Sequence, residues 1–516
     1  MAKEKKSNIS PIRLTDNTRY CLEPKTKQSL EESKQESSWG ENKKDEFAPQ
    51  PLPDKLIRAQ GKSTAEQYSL IDSLNKRTVS ELTDHDGNGI LVWPHSFTTG
   101  NKDNIADMVV LECEKYGDQI CRLQTGNLVG YVGNGKAQID ISTRFFPSSD
   151  GKQDYFLYYM LAKVFHANFV KLPVGSGSFR DMNLLIFMFP RLLTEALTQG
   201  MFKQYVRREY NDSRVRGTID INRHIRINYP ANGRIAYRTR EFSYDNNITQ
   251  LIRHTIEYMD TMPMGRALLC GTKEIEAARR MIVQVTPSYQ KNQRRQVVAD
   301  NRRPFTHPYF TRYKALQNLC LSILKNESIS HGEMDKNVNG LLIDVAWLWE
   351  EYIAQVVAES GFKHHTSQDS FKLFKNSEND KRFQTVIPDY VLNQQGQQAD
   401  AIADAKYIPL HRDDRLSADR ASAVYYKTIM YMYRFATSKG FLFHPCQKAE
   451  VEHLPCTAEG VYHADYEICN GMDCHIHELG MIIPENENGY EQFCGTMREM
   501  EVKFRRMLFD LLNIGR

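Results

Sequence analysis

Between residues 385 and 407 the chain reads Thr-Val-Ile-Pro-Asp-Tyr-Val-Leu, then Asn-Gln-Gln-Gly-Gln-Gln, then Ala-Asp-Ala-Ile-Ala-Asp-Ala-Lys-Tyr. Two β-prone runs around a polar, Gly-containing connection predict a hairpin. Successive strand side chains point to opposite faces, so Ile402, Asp404, Lys406 and Ile408 share one face. A carboxylate and an amine thus sit side by side. Pro388-Asp389, which ends or bends the neighbouring strand, adds a second carboxylate. Two acids and a lysine on adjacent strands can bind Mg²⁺ and direct a water at a phosphodiester. The plain alternative is a solvated hairpin carrying an acid–base pair on its surface. Against it, Ala401, Ile402, Ala403, Ala405 and Tyr407 are too apolar for a solvated edge, and buried Asp and Lys need a partner or a task.

The elements that must hold these groups follow from periodicity. From 338 to 357, Leu341, Val345, Leu348, Tyr352 and Val356 recur at three- and four-residue steps, which predicts one amphipathic helix. Glu350 and Glu351 lie off that stripe. Glu350 falls near its edge, where it is either a third carboxylate for the site or an ordinary surface acid. After the hairpin a helix is expected over about 417–437, with Lys427 and Tyr431 one turn apart, and then a strand over 441–445. The expected order is αββαβ. A last helix, about 491–512, should pack on this core.

The rest of the chain bounds the function. Its 516 residues suffice for two or three domains, and a net charge of +3 leaves any nucleic-acid contact to local basic clusters. Ten cysteines at irregular spacings, with no secretion signal and no apolar run long enough to span a bilayer, predict a soluble protein of a reducing, cytoplasmic compartment. Residues 1–55 are polar and charged enough to read as a disordered tail. Residues 56–150 alternate short β-prone runs with turn signals and read as a β-rich module. Within it Gly130-Tyr-Val-Gly-Asn-Gly-Lys-Ala imitates a phosphate-binding loop, but Ala137 replaces the Mg²⁺-binding hydroxyl and a strand follows instead of a helix. Gly61-Lys-Ser-Thr lacks its first glycine, so the chain itself should bind no nucleotide.

Residues 151–335 read as a helical/β region, with the helix around 184–197 interrupted at Pro190. A strand-like run over 213–221 carries Arg214 and Arg216, and the densest cations follow at Arg294, Arg295, Arg302 and Arg303. Solvated faces or contacts with phosphates or a partner would both account for them. Beyond 446, Cys446, Cys456, Cys469 and Cys474 accompany His453, His463, His475 and His477. Without paired Cys-x2-Cys spacing, buried thiols and exposed imidazoles explain them better than zinc.

The motif order is similar to the McrC family, the nuclease subunits of McrBC-type restriction systems within the PD-(D/E)xK superfamily. Four stretches carry the resemblance: Arg216-Gly-Thr-Ile-Asp, Trp349-Glu-Glu-Tyr, Pro388-Asp389 and Asp404-Ala-Lys-Tyr. It covers roughly residues 120–445. It implies an α/β chain with a restriction-endonuclease-like core over 336–516, preceded by a mixed α+β half. It implies that Asp389, Asp404 and Ala405 hold Mg²⁺ (Mn²⁺ able to substitute), that Lys406 assists the attacking water and that Glu350 supports the site. It further implies double-stranded DNA as substrate and a McrB-like AAA+ GTPase ring as partner, docked through the first half and stimulated by it. Two departures stand out. Lys427 occupies the glutamine position of a Gln-x3-Tyr helix motif, and the segments before 120 and after 446 match less well. A methylation-independent restriction nuclease and a non-catalytic DNA-binding subunit stay open as alternatives, the intact Asp389, Asp404 and Lys406 weighing against the second.

Overall fold

The computed structural model describes residues 11–21, 50–52, 56, 65–83, 89–95, 105–117, 119–134, 136–146, 154–165, 185–330, 339–365, 371–396, 398–408, 415–451, 457–458, 460–469, 473–485, 487 and 489–513. The chain divides into two compact units. The first comprises Met1–Val164, Val170–Met182 and Met334–Arg516, and the second Phe165–Phe169 and Asn183–Glu333. The class is mixed α/β, with several sheets.

The first unit opens with β1 (Ile12–Thr15), β2 (Arg19–Cys21) and β3 (Gln50–Pro51), then α1 (Ala65–Leu74), α2 (Val79–Thr83) and β4 (Gly89–Trp93). It continues with β5 (Leu111–Tyr116), β6 (Gln119–Thr125), β7 (Leu128–Gly133), β8 (Gln138–Ser142) and α3 (Tyr155–Val164). The expected tail therefore contains folded strands. Ile12 and Leu14 are buried, and β1 pairs in parallel with β8, Ile12 opposite Ile139. The Ile-Arg-Leu-Thr alternation is a half-buried strand pattern that its charged neighbours hide in any longer window. The phosphate-loop imitation is β7 and its turn into β8, an antiparallel pair with no helix to face an anion. Gly61-Lys-Ser-Thr lies outside the described residues.

The second unit contains α4 (Leu185–Leu197), β9 (Gln204–Asp212), β10 (Thr218–Ile219), α5 (Ile221–Ile227) and β11 (Ile235–Ser243). Then come α6 (Asn247–Asp260), α7 (Pro263–Leu269), α8 (Lys273–Val285), α9 (Arg294–Asp300) and α10 (Arg312–Ser330). Helix α4 runs on through Pro190 where an interruption was expected. The expected strand over 213–221 shrinks to β10, because α5 starts at Ile221 with Asp220 capping it through Arg223 N. A β9–β11 ribbon in the register Gln204↔Ser243 to Asp212↔Ile235 forms a three-stranded sheet with β10. Helix α6 buries Leu251, Ile252, Ile256 and Met259, and its start is fixed by reciprocal Asn246 and Thr249 hydrogen bonds.

The chain then returns to the first unit with β12 (Asn339–Asp344), α11 (Val345–Val357) and β13 (Phe362–His364). There follow β14 (Phe371–Lys375), β15 (Arg382–Val386), β16 (Tyr390–Leu392), β17 (Ala401–Ala405) and α12 (Arg415–Arg434). The last elements are β18 (Lys439–Cys446), α13 (Lys448–Val451), β19 (Thr457–Ala458), β20 (Val461–Glu467), β21 (His475–Ile482) and α14 (Tyr490–Asn513). The return at Met334 falls close to the boundary expected near 336, but the stretch that follows belongs to the same unit as the N-terminal elements. Strand β12 inserts between β7 and β4 and completes the N-terminal sheet β1-β8-β7-β12-β4. A Cβ on Gly340 would lie 2.4 Å from Tyr131 O, so glycine lets β12 close against β7. Residues 339–344 are thus strand rather than the first turns of the expected helix. Asp344 is the helix start, its carboxylate accepting Ala346 N and Trp347 N at 3.0 and 3.3 Å.

The second sheet runs β13-β16-β17-β18-β21-β20-β19. Strands β16 and β17 pair antiparallel as the predicted hairpin, and α12 links β17 to its parallel neighbour β18. Four strands beyond the three expected complete the sheet: β13 at the hairpin's outer edge through β16, and β21, β20 and β19 beyond β18. Helix α14 packs as anticipated. Its buried Glu501 accepts Tyr159 Oη at 2.8 Å, Tyr352 Oη at 2.9 Å and Lys163 Nζ at 3.0 Å, tying α14 to α3 and α11. The C-terminal imidazoles correct the expectation of exposure. His477 is buried on the interior strand β21, and His463 and His475 are half-buried. Of the thiols expected inside, Cys446 is buried, Cys474 half-buried and Cys469 exposed. His453 and Cys456 lie outside the described residues.

Candidate active site

Strand β17 is fully buried until Ala405, and its end carries the charged groups. Asp404 is 0% exposed, and Lys406 Nζ lies 2.5 Å from its Oδ2. Asp389 follows Pro388 in the gap between β15 and β16. Its Oδ2 accepts Ala405 N at 2.8 Å, replacing a ladder bond that β16, starting only at Tyr390, does not supply. The proline break that ends one strand therefore turns the second carboxylate onto β17.

Three elements brace these groups. Tyr431 Oη of α12 donates to Ile387 O at 3.0 Å, fixing the backbone ahead of Pro388-Asp389. Lys427 Nζ sits 5.4 Å from the Tyr431 ring. Helix α11 presents Glu350, only 9% exposed, whose Oε1 meets His364 Nε2 at 2.8 Å, while Tyr390 Oη donates to the Glu350 carbonyl at 2.5 Å. Glu351, one position on, is half-buried. A further brace joins the N-terminal sheet. Buried Arg144 donates through Nη2 to Tyr407 O at 2.6 Å and Pro445 O at 3.3 Å, with Asp16 Oδ2 3.8 Å from Nη1.

The electrostatics couple the acids. Burial, reinforced by the charges of Asp404 and Glu350, raises the Asp389 carboxyl far above the usual carboxylate range. Burial would raise Asp404 too, but the ammoniums of Lys406 and Lys427 outweigh it and hold Asp404 at about 2. Lys406 is raised, since the attraction of Asp404 and Asp389 exceeds the cost of its burial. Burial and the neighbouring charges thus push the two carboxyls apart, Asp389 upward and Asp404 downward.

These residues fit a hard divalent ion. Both Asp404 oxygens are buried, and beyond the Lys406 ammonium at Oδ2 no hydrogen bond satisfies them, which leaves lone pairs for a cation. Among the described residues no three His, Cys, Asp or Glu side chains converge as a metal cage. An ion would accordingly rest on Asp389, Asp404, the Ala405 carbonyl and water, a set suited to Mg²⁺. Glu350 is engaged with His364.

The cationic residues of the second unit have varied surroundings. Arg216 pairs with Asp212 at 3.6 Å and donates to Tyr237 Oη at 3.2 Å, while Arg214 is exposed. Glu209 and Asp220 pair instead with Arg223 and Arg238. Arg294 lies 5.6 Å from the Tyr258 ring, and Arg295, Arg302 and Arg303 are exposed. Sequence reasoning missed His364, Tyr390, Arg144 and Asp16. The only local signal was for Tyr390, which adjoins Asp389. No helix among the described residues is long and apolar enough to cross a membrane, and their cysteines are free thiols.

Comparison with known proteins bears on this geometry. No curated protein matches the chain. A refined half-complex from a tetradecameric assembly of Thermococcus gammatolerans McrB AAA+ hexamers with bound McrC is similar over 97% of this chain and 100% of its own, at 13% identity and TM-score 0.43. The cryo-EM structure of the Thermococcus gammatolerans McrBC complex covers 58% of this chain and 83% of its own, at 14% identity and TM-score 0.27. The profile of the McrBC 5-methylcytosine restriction system component family matches residues 123–445, more than half the chain and both candidate acids. The chain belongs to the McrBC family of 5-methylcytosine restriction system components.

Proposed function

We propose that the chain is the DNA endonuclease subunit of its restriction system, with Asp389, Asp404 and Lys406 as the reacting constellation. The observation that carries this reading is the pair of buried carboxyls, Asp389 and Asp404, with Lys406 Nζ 2.5 Å from Asp404 Oδ2 and Asp389 Oδ2 accepting Ala405 N at 2.8 Å. The α11–β13–β16–β17–α12–β18 order supports a restriction-endonuclease-like core of the PD-(D/E)xK kind. Asp389, Asp404 and the Ala405 carbonyl would hold Mg²⁺, whose positive charge would polarise a phosphodiester. Lys406, kept cationic by the two acids, orients the attacking water and balances charge building on the phosphate. Glu350 and His364 keep α11 and β13 in register behind the site, and Tyr431 keeps Asp389 in place.

The partner in this reading is a McrB-like AAA+ GTPase ring that brings double-stranded DNA to the site. The second unit offers a surface suited to it. Helix α5 buries none of its residues, exposing Ile221, Ile225 and Ile227, with Tyr229 after it and Arg214 and Arg216 before it. The test is plasmid cleavage by the chain with its partner and GTP. Cleavage should require Mg²⁺, stop with EDTA and return with Mg²⁺ or Mn²⁺. Unchanged cleavage in EDTA would overturn the metal assignment.

A further inference from the structure

Strands β14 and β15 stand apart from both large sheets as a two-stranded ribbon. An isolated hairpin is marginal in water unless one face is buried. Here the inner face packs on the core around α12: Phe371 meets Phe435 with ring centroids 4.9 Å apart, and Arg434 Nε donates to Lys372 O at 2.8 Å. The outer face is the opposite of what solubility favours. Phe374 and Phe383 oppose each other across the strands, their rings 5.3 Å apart, and they are 51% and 50% exposed. Such a paired aromatic patch, presented at the surface on an anchored ribbon, marks a contact site.

Its charge and position say what it contacts. Residues 371–386 carry Lys372, Lys375, Lys381 and Arg382 against Glu378 and Asp380. Lys375 is bridged to Asp380 at 2.8 Å, and Lys381 and Arg382 are exposed. Phe383 precedes Asp389 by six residues, so the patch lies within about 20 Å of that carboxylate along even a fully extended chain. That distance is roughly six steps along a DNA strand. Cations beside apolar rings match a duplex, whose phosphates take the cations while phenylalanines lie against sugars and base edges or wedge between base steps.

We infer that the β14–β15 ribbon is a DNA-contacting arm that grips the duplex beside the scissile phosphate. Phe374 and Phe383 make its apolar contact, and Lys381 and Arg382 make its phosphate contacts. The inference rests on the endonuclease reading and adds to it the place where substrate is held.

The experiment measures binding of a fluorescently labelled 30-base-pair duplex to the full chain by anisotropy across a salt series, using wild type, Phe374→Ala/Phe383→Ala and Lys381→Gln/Arg382→Gln. Loss of aromatic contact should weaken binding roughly tenfold, with the salt slope unchanged. The charge-neutral pair should instead lower the slope of log K against log salt by about 1 to 2. Phe383→Ser alone serves should the double variant lose its circular dichroism signature. Affinity of the aromatic variant within twofold of wild type, or no duplex affinity in wild type at low salt, overturns the inference. So does unchanged DNA affinity with lost GTPase stimulation, which would give the patch to the protein partner. Asp404→Ala separates the two claims. If it still cleaves, the endonuclease reading fails. If it is inert while the aromatic variant binds normally, only the arm fails.

Discussion

Arg144→Ala should cost the first unit about 3–5 kcal/mol, the range for leaving one half of a buried ion pair alone. Both partners are almost sealed, with Arg144 5% and Asp16 0% exposed. The guanidinium also satisfies the carbonyls of Tyr407 and Pro445 and stacks within 4.6 and 4.5 Å of the Phe145 and Tyr407 rings. Those losses are contained in the same range, not added to it. Against a typical total of about 5–15 kcal/mol, the unit would be left marginal. The pH dependence identifies the cause. Burial already lifts the Asp16 carboxyl above its ordinary value despite Arg144, and removing the guanidinium must lift it further. An acid with a raised folded pKa keeps its stability below the unfolded value of about 3.9 and loses it as pH rises. The deficit of Arg144→Ala should therefore shrink as pH is lowered from 8 to 5, and Asp16→Asn in the same chain should restore part of it. Urea unfolding followed by tryptophan fluorescence measures each quantity. A deficit below about 1 kcal/mol at pH 7.5, with no rescue by Asp16→Asn, would refute the argument.

Two further outcomes are expected. His254 in α6 is buried against Tyr289, and burial, with the charges of Arg294 and Arg253, depresses it to about 4. A depressed imidazole stabilises fully above about 6.5 and loses that contribution as pH falls towards 4, so the second unit should lose up to about 2 kcal/mol between pH 6.5 and 5. In His254→Gln the dependence should flatten; equal pH dependence in urea midpoints of variant and wild type would exclude His254 as its source. Arg214→Ala/Arg216→Ala should fold normally yet stimulate the partner GTPase several-fold less. Wild-type stimulation would mean that Arg216 serves only its contacts with Asp212 and Tyr237.

What could be read in advance was local. The β16–β17 hairpin, the Asp404–Lys406 face and the turn of α12 bearing Lys427 and Tyr431 each depend on periods of two or four residues, and all stand where the spacing puts them. Errors arose where two periods coincide. Leu341 and Val345 are four apart, as in a helix, yet Leu341 lies in β12 and Val345 begins α11. The N-cap signal of Asp344 and the glycine at 340 were the local clues to that junction. Other features are set by distant pairing and leave no local mark. Arg144 meets Tyr407 across 263 positions, and β12 finds β7 only after the whole second unit has intervened. His364 belongs to the site because an edge strand brings it to Glu350, and a three-residue strand has too little pattern to be seen in sequence.

The most direct test of the account is cleavage by Asp404→Ala. With partner, GTP and Mg²⁺ present, the variant should retain the wild-type circular dichroism spectrum and its stimulation of the GTPase. It should cleave DNA at least about 100-fold more slowly, because the buried carboxylate that both lysines neutralise is gone. Cleavage at the wild-type rate by the folded variant would contradict the assignment of Asp389, Asp404 and Lys406 as the reacting centre.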